Sequence, residues 1–153
     1  MYGSNGQVGW HDEKLVDGPG IIVGRKGNPG IVTWSHTVFY PIDTTFYVVP
    51  KSPIQSMYYL FHALRQQDLP SLGADSAVPG LNRNIAYMNR MIAPSSKTMN
   101  LFDTHLKELY KKIQSNDEQS HTLAMIRDAL LPKLMSGEIR LLNNQKNKRS
   151  SIS

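Results

Sequence analysis

Residues 95–131 contain neither glycine nor proline, whereas ten of the eleven glycines in this 153-residue chain lie at or before Gly80. Glycine and proline punctuate regular structure more strongly than any other residues, so the chain divides near Pro94 into a turn-rich part and an uninterrupted helical part. The helical part has its own start chemistry: Asn100 can cap, Asp103 suits the positive end of the helix dipole, and nothing breaks the pattern before Pro132. More than thirty residues at a 1.5 Å rise predict a rod of roughly 45–50 Å.

Phe102, Leu106, Leu109, Ile113, Asn116, Ser120 and Leu123 alternate by four and three residues, a coiled-coil seam interrupted by polar Asn116 and Ser120. Leu123, Ile126, Leu130 and Leu134 continue it after a phase slip, consistent with a stutter. Such a rod is longer than a domain of about 100 residues is wide. Its stripe therefore calls for a second helix, and none of comparable length occurs in this sequence, so the expected partner is another copy or another chain. Pro132 is expected to kink the last turn and Gly137 to supply the left-handed stop. Residues 143–153 read as a polar, basic, disordered tail.

Before Pro94, short β-branched or aromatic runs at 7–10, 20–24, 30–34, 37–40 and 44–49 predict about five short strands separated by turns. The stretch Gly24-Arg25-Lys26-Gly27-Asn28-Pro29-Gly30 reads as a hairpin tip, because its glycines permit positive φ. A helix is expected from Ser52, with Pro53 in its first turn and Gln55 completing a capping box. Ile54, Met57, Phe61 and Leu64 would face the sheet until Pro70 ends it. Residues 81–92 read as a short helix capped by Asn82 and then a strand through Ile92. The fold class is thus α+β: a small, loop-rich β-sheet domain with a packed helix (1–94), one long coiled-coil-forming helix (95–142) and the tail (143–153).

Composition narrows the chemistry. With 40% apolar and 19% charged residues the chain has a globular balance. The absence of cysteine removes disulfide scaffolds, thiolate zinc sites, iron–sulfur clusters and cysteine nucleophiles together, and it suits a reducing cytoplasm. No apolar run approaches the roughly 18 residues of a membrane helix, and Asn5, Trp10, His11, Asp12 and Glu13 stand where a secretory leader would be apolar, so the chain reads as soluble and unexported. Net charge is +5, but Arg140, Lys146, Lys148 and Arg149 carry four of those charges and leave the rest at +1. Bulk charge is therefore a weak argument for a polyanionic partner.

Catalytic patterns are correspondingly thin. The 24–30 turn can offer amides and the cations Arg25 and Lys26 to a phosphate, or it can be a plain glycine hairpin; it lacks the spacing of a Walker loop. The loop Tyr2-Gly3-Ser4-Asn5-Gly6 likewise can read base edges or simply turn. His11, His36, His62, His105 and His121 have no metal-ligand spacing, so no metal or cofactor is expected. Ser35-His36 lacks a nucleophile elbow. Asp12-Glu13-Lys14 has the D-x-K spacing of some nucleases without an obvious upstream acid. Asn28-Pro29-Gly30-Ile31 lacks the second proline and the aromatic that an adenine-methylating loop uses to hold a flipped base.

Several stretches nevertheless resemble the carboxy-terminal half of the specificity subunit of type I restriction–modification enzymes. They are Gly3-Ser4-Asn5-Gly6 with Gly9, the run GIIVGRKGNPG from Gly20 to Gly30, Thr44-Thr45-Phe46-Tyr47, Val78-Pro79-Gly80-Leu81-Asn82-Arg83, and RDALLPKLMSGEI from Arg127 to Ile139, of which LLPKLMSGEI is the most specific. The resemblance spans about residues 2–141. It implies a target recognition domain that reads one half of a split sequence in double-stranded DNA, followed by a helix that pairs antiparallel with its counterpart and docks adenine methyltransferase (modification) subunits. It implies a restriction and translocase subunit in the full complex, and no catalysis in this chain. A full specificity subunit has two recognition domains and two helical regions. One helix here, and a recognition domain that lacks opening strands before Tyr2, leave a fragment, a split-gene half that dimerises, or a truncated start.

On that resemblance Ser4, Asn5, Arg25, Lys26, Asn28, Asn82 and Arg83 are the expected DNA contacts. Phe102, Leu106, Leu109, Ile113, Asn116, Leu123, Ile126, Leu130 and Leu134 are the expected helix interface, pairing with a spacer helix from a missing half or from a homodimer. Two other readings compete: a coiled-coil adaptor, or non-functional fragment, that binds no DNA, and a magnesium-dependent nuclease using Asp12 and Lys14.

Overall fold

A computed structural model describes residues 1–73 and 79–140, which fall into two units, Met1–Lys112 and Ile113–Ser153. The fold is α+β, with small antiparallel sheets and helices that include one of forty residues.

The first unit opens with a two-stranded hairpin, β1 (Tyr2–Gly3) and β2 (Gly6–Gln7), closed through Gly6 at φ 105°. Its main sheet is built around β3 (Gly20–Gly24), flanked by β4 (Val32–Ser35) and β5 (Thr45–Tyr47) in the antiparallel order β4-β3-β5. The GIIVG run of β3 is buried at every position, as a strand covered on both faces requires. Ile21 pairs with Trp34, and Val23 with Val32 and Phe46. The two-residue alternation sends Ile21 and Val23 to one face, where they join Leu60, Phe61, Leu69 and Leu81 in the core. Ile22, on the other face, is also fully buried. Phe39 fills the space beside Gly20, where a Cβ would stand 2.5 Å from its ring.

Helix α1 (Met57–Gln66) covers the core face of the sheet with Leu60 and Phe61, each of which stabilises the fold by about 1.5–3 kcal/mol on burial. A 3₁₀ turn at Ser71–Gly73 and the short α2 (Arg83–Tyr87) follow. The long α3 (Ser96–Met135) begins within the first unit, where Met99 is buried and Tyr110 packs on the core. Tyr110 meets Trp34 at 4.8 Å and Tyr58 at 5.0 Å between ring centroids, and its hydroxyl lies 3.2 Å from His62 Nε2.

Several local expectations are corrected. Ser56, not Ser52, caps α1: its Oγ accepts the Tyr59 amide at 2.9 Å, while the segment around Ser52-Pro53 is engaged in a Lys51–Ile54 bridge. The helix ends at Gln66, ahead of Pro70. Of 7–10 only Gln7 enters a strand, as the end of β2, and none forms at 37–40, which find only an isolated Val16–Phe39 bridge. Asn82 does cap α2, accepting the Asn84 amide at 2.8 Å, but no strand follows and Ile92 is 80% exposed. Ser95, not Asn100, opens α3, accepting the Thr98 amide at 3.2 Å. Asp103 lies past the first turn and instead accepts a hydrogen bond from the Ser56 hydroxyl.

In the second unit α3 continues through Pro132, whose missing N–H costs one helical hydrogen bond, and stops at Met135. Gly137 at φ 74° follows, with the Ile139 amide reaching back to the Lys133 carbonyl at 3.1 Å. The tail expected at 143–153 lies outside the described residues.

Candidate nucleic-acid interface

The 24–30 hairpin organises the site. The Gly30 amide donates to the Gly24 carbonyl at 2.9 Å and the Gly24 amide to the Ile31 carbonyl at 2.8 Å. Gly30 takes φ 80° and packs so closely that a Cβ would lie 2.3 Å from the Pro70 nitrogen; only glycine satisfies both conditions. The turn thereby presents Arg25, Lys26 and Asn28 as exposed residues on a fixed backbone.

On one flank it meets the β1–β2 loop. Asn28 Nδ2 donates to Asn5 Oδ1, and Ser4 lies against both Gly24 and Gly27. On the other flank it meets the segment leading into α2. The Leu81 amide donates to the Arg25 carbonyl at 2.8 Å, and Lys26 forms a bridge with Gly80. The Arg25 amide in turn donates to the Thr44 carbonyl at 2.8 Å. An open depression of about 580 Å³ results, lined by Arg25, Lys26, Phe46, Asn82, Arg83 and Asn84 among others.

The seven residues singled out from the sequence therefore come from three distant segments and gather around one hairpin. Three of them are already engaged within the fold: the Asn5 and Asn28 side chains bond to each other, and the Asn82 side-chain oxygen is taken up by the α2 cap. Sequence reasoning missed Phe46. The Arg83 guanidinium lies 4.7 Å and that of Arg25 5.5 Å from the centre of its ring. Its signals were its place in a β-branched and aromatic run, which reads equally as core, and in the resembling stretch Thr44–Tyr47; Phe46 is indeed packed on the core as well. None of the four ion pairs among the described residues uses Arg25, Lys26 or Arg83.

The residues expected at a helix interface are divided. Phe102 faces Tyr59 and His62 of its own unit, with ring centroids at 6.3 and 6.0 Å. Leu109, Ile113, Leu123, Ile126, Leu130 and Leu134 are all exposed, Leu123 to 65%. Among the described residues no group of three or more histidines and carboxylates is placed to hold a metal ion, and Asp12 and Lys14 are exposed, with Lys14 bonded to Asp17 at 2.6 Å. No helix of the described residues is long and apolar enough to cross a membrane.

No protein-family model matches the chain. The HindI type I restriction enzyme specificity subunit of Haemophilus influenzae is 26% identical over 135 residues, covering 85% of this chain and 29% of that protein. The MjaIX type I restriction enzyme specificity subunit of Methanocaldococcus jannaschii is 28% identical over 97 residues, covering 61% of this chain and 22% of that protein. The chain thus spans less than a third of the length of these curated relatives. Both carry the same role in their names, and together with the residue pattern above they support a specificity-subunit assignment.

Proposed function

We propose that this chain is a DNA-recognition module of a type I restriction–modification system, non-catalytic in itself, which reads one half of a bipartite duplex target. The observation that carries the reading is the convergence of Arg25, Lys26, Asn82 and Arg83 on one open depression, beside the Ser4–Asn5–Asn28 loop contact. Cations and amides on rigid turns are what phosphate positioning needs, and side chains projecting from them are what base readout needs. The exposed stripe from Leu109 to Leu134 then serves assembly. It pairs with a second spacer helix, from another half or another copy, and docks the modification subunits, with the restriction and translocase subunit joining the full complex.

The test is binding of the full chain to random-sequence duplex between about 50 and 200 mM salt. Each phosphate contact contributes about 0.9 to the slope of log affinity against log salt, so Lys26→Ala is expected to lower that slope by about one and to weaken binding to every sequence. An unchanged slope counts against Lys26 as a phosphate contact.

A second reading, a coiled-coil adaptor that binds no DNA, is favoured by that exposed stripe alone. It is expected to give no retarded duplex at low salt, with or without a modification subunit.

A further inference from the structure

We infer that Arg83 and Arg25 read guanine in the major groove and that Phe46 is the residue that positions both guanidinium groups for it; this rests on the DNA-binding reading above. An exposed arginine carries about 2 kcal/mol of rotamer entropy, so a free one is poorly suited to the fixed, planar, two-pronged contact that guanine O6 and N7 demand. Stacking on an aromatic face removes part of that freedom while leaving the N–H edge of the guanidinium open for hydrogen bonds. The Phe46 ring serves two arginines at once, its centre 4.7 Å from the Arg83 guanidinium and 5.5 Å from that of Arg25.

Each part of the arrangement is anchored. Phe46 pairs with Val23 across the sheet and packs on the core. Arg25 is held at both its amide, by the Thr44 carbonyl, and its carbonyl, by the Leu81 amide, each at 2.8 Å. Arg83 is the first residue of α2, directly after the Asn82 cap. Because both lie within 5.5 Å of one ring centre, the two guanidinium carbons are at most about 10 Å apart, some three base-pair steps at about 3.4 Å each. One protein patch can therefore address two nearby base pairs. Both arginines are exposed, and none of the ion pairs among the described residues includes them, so their N–H edges are not taken up by a carboxylate there. Lys26, beside them but with no ring to stack on, is suited to act as a point charge on the phosphate backbone.

The test is selection from a randomised duplex library by the full wild-type chain, followed by competition binding with Arg83→Lys and Phe46→Leu, both checked for folding by circular dichroism. Arg83→Lys keeps the charge and removes the fork. The expected result is guanine enrichment at one or two positions. Arg83→Lys should reduce discrimination against the other bases at one of them by roughly 5- to 150-fold, and Phe46→Leu should relax the same position. Selected duplexes without a guanine preference, or a preference that survives Arg83→Lys, overturn the inference and leave the DNA-binding reading standing. Should Phe46→Leu fail to fold, the Arg83→Lys result decides, since Arg83 is exposed. A wild-type chain that retains no duplex overturns the DNA-binding reading itself.

Discussion

Replacing Gly30 by alanine tests whether the hairpin is held rigid by its contact with the 69–70 segment. Two costs combine. At φ 80° an alanine sits in the left-handed region, which disfavours it by about 1–2 kcal/mol. Its Cβ would also stand 2.3 Å from the Pro70 nitrogen and 2.4 Å from the Leu69 carbonyl carbon, backbone atoms that cannot rotate aside. Forcing the two segments apart adds about 1–3 kcal/mol, the usual range for overpacking. Gly27 is the internal control. It has the same φ of 80°, but the nearest contact of a Cβ there is Ser4 Oγ at 3.5 Å, so only the conformational cost applies. With each kcal/mol worth about 4–8 °C for a domain near 100 residues, Gly30→Ala, at about 2–5 kcal/mol, is expected to lower Tm by roughly 8–40 °C and Gly27→Ala, at about 1–2 kcal/mol, by roughly 4–16 °C. Tryptophan fluorescence is a suitable probe, because Trp34 lies among Tyr58, Phe61 and Tyr110 while Trp10 is 88% exposed and changes little on unfolding. Equal melting temperatures for the two variants would refute the claim that close packing of the turn holds the site.

Three further outcomes are expected. Ser56→Ala removes both the cap on the Tyr59 amide and the hydroxyl bonded to Asp103, and should cost about 1–2 kcal/mol, read as a lower urea midpoint. Burial, and then the nearby Arg65 cation, hold His62 below its ordinary value of 6.5. The unfolded chain therefore takes up this proton more readily, so the contribution is present in full above pH 6.5 and is lost as pH falls through the lowered folded value. His62→Phe should flatten that part of a stability–pH profile, and an unchanged profile would remove His62 from the explanation. Glutamate at Ile126 and Leu130 together should weaken association with a modification subunit, or self-association, at least tenfold while the Trp34 transition stays in place.

The sequence was informative where a residue can do only one thing. The buried GIIVG strand, the glycine turn and the αL stop at Gly137 were all legible, because short apolar runs and positive φ leave few alternatives. Capping was less so. Ser52 and Ser56 are chemically equivalent, and the choice of Ser56 is tied to Asp103, forty-seven positions away. Likewise Asn100 could cap α3, yet Ser95 does, which extends the helix by a turn along the lobe and buries Met99. Residues 37–40 carry a strand-like composition but no ladder partner; Phe39 is buried instead because Gly20 leaves room for its ring. In the candidate site the polar members were readable from turn chemistry. Phe46 was not, because nothing local marks a core aromatic that also carries two arginines on its ring.

The most direct measurement of duplex recognition by the hairpin face is amide hydrogen exchange of the full chain with and without a saturating DNA duplex. Slower exchange is expected at residues 24–28 and 81–84, with no comparable change along 60–66 of α1. Protection confined to α1 or to α3, with the hairpin exchanging as in the free chain, would contradict it.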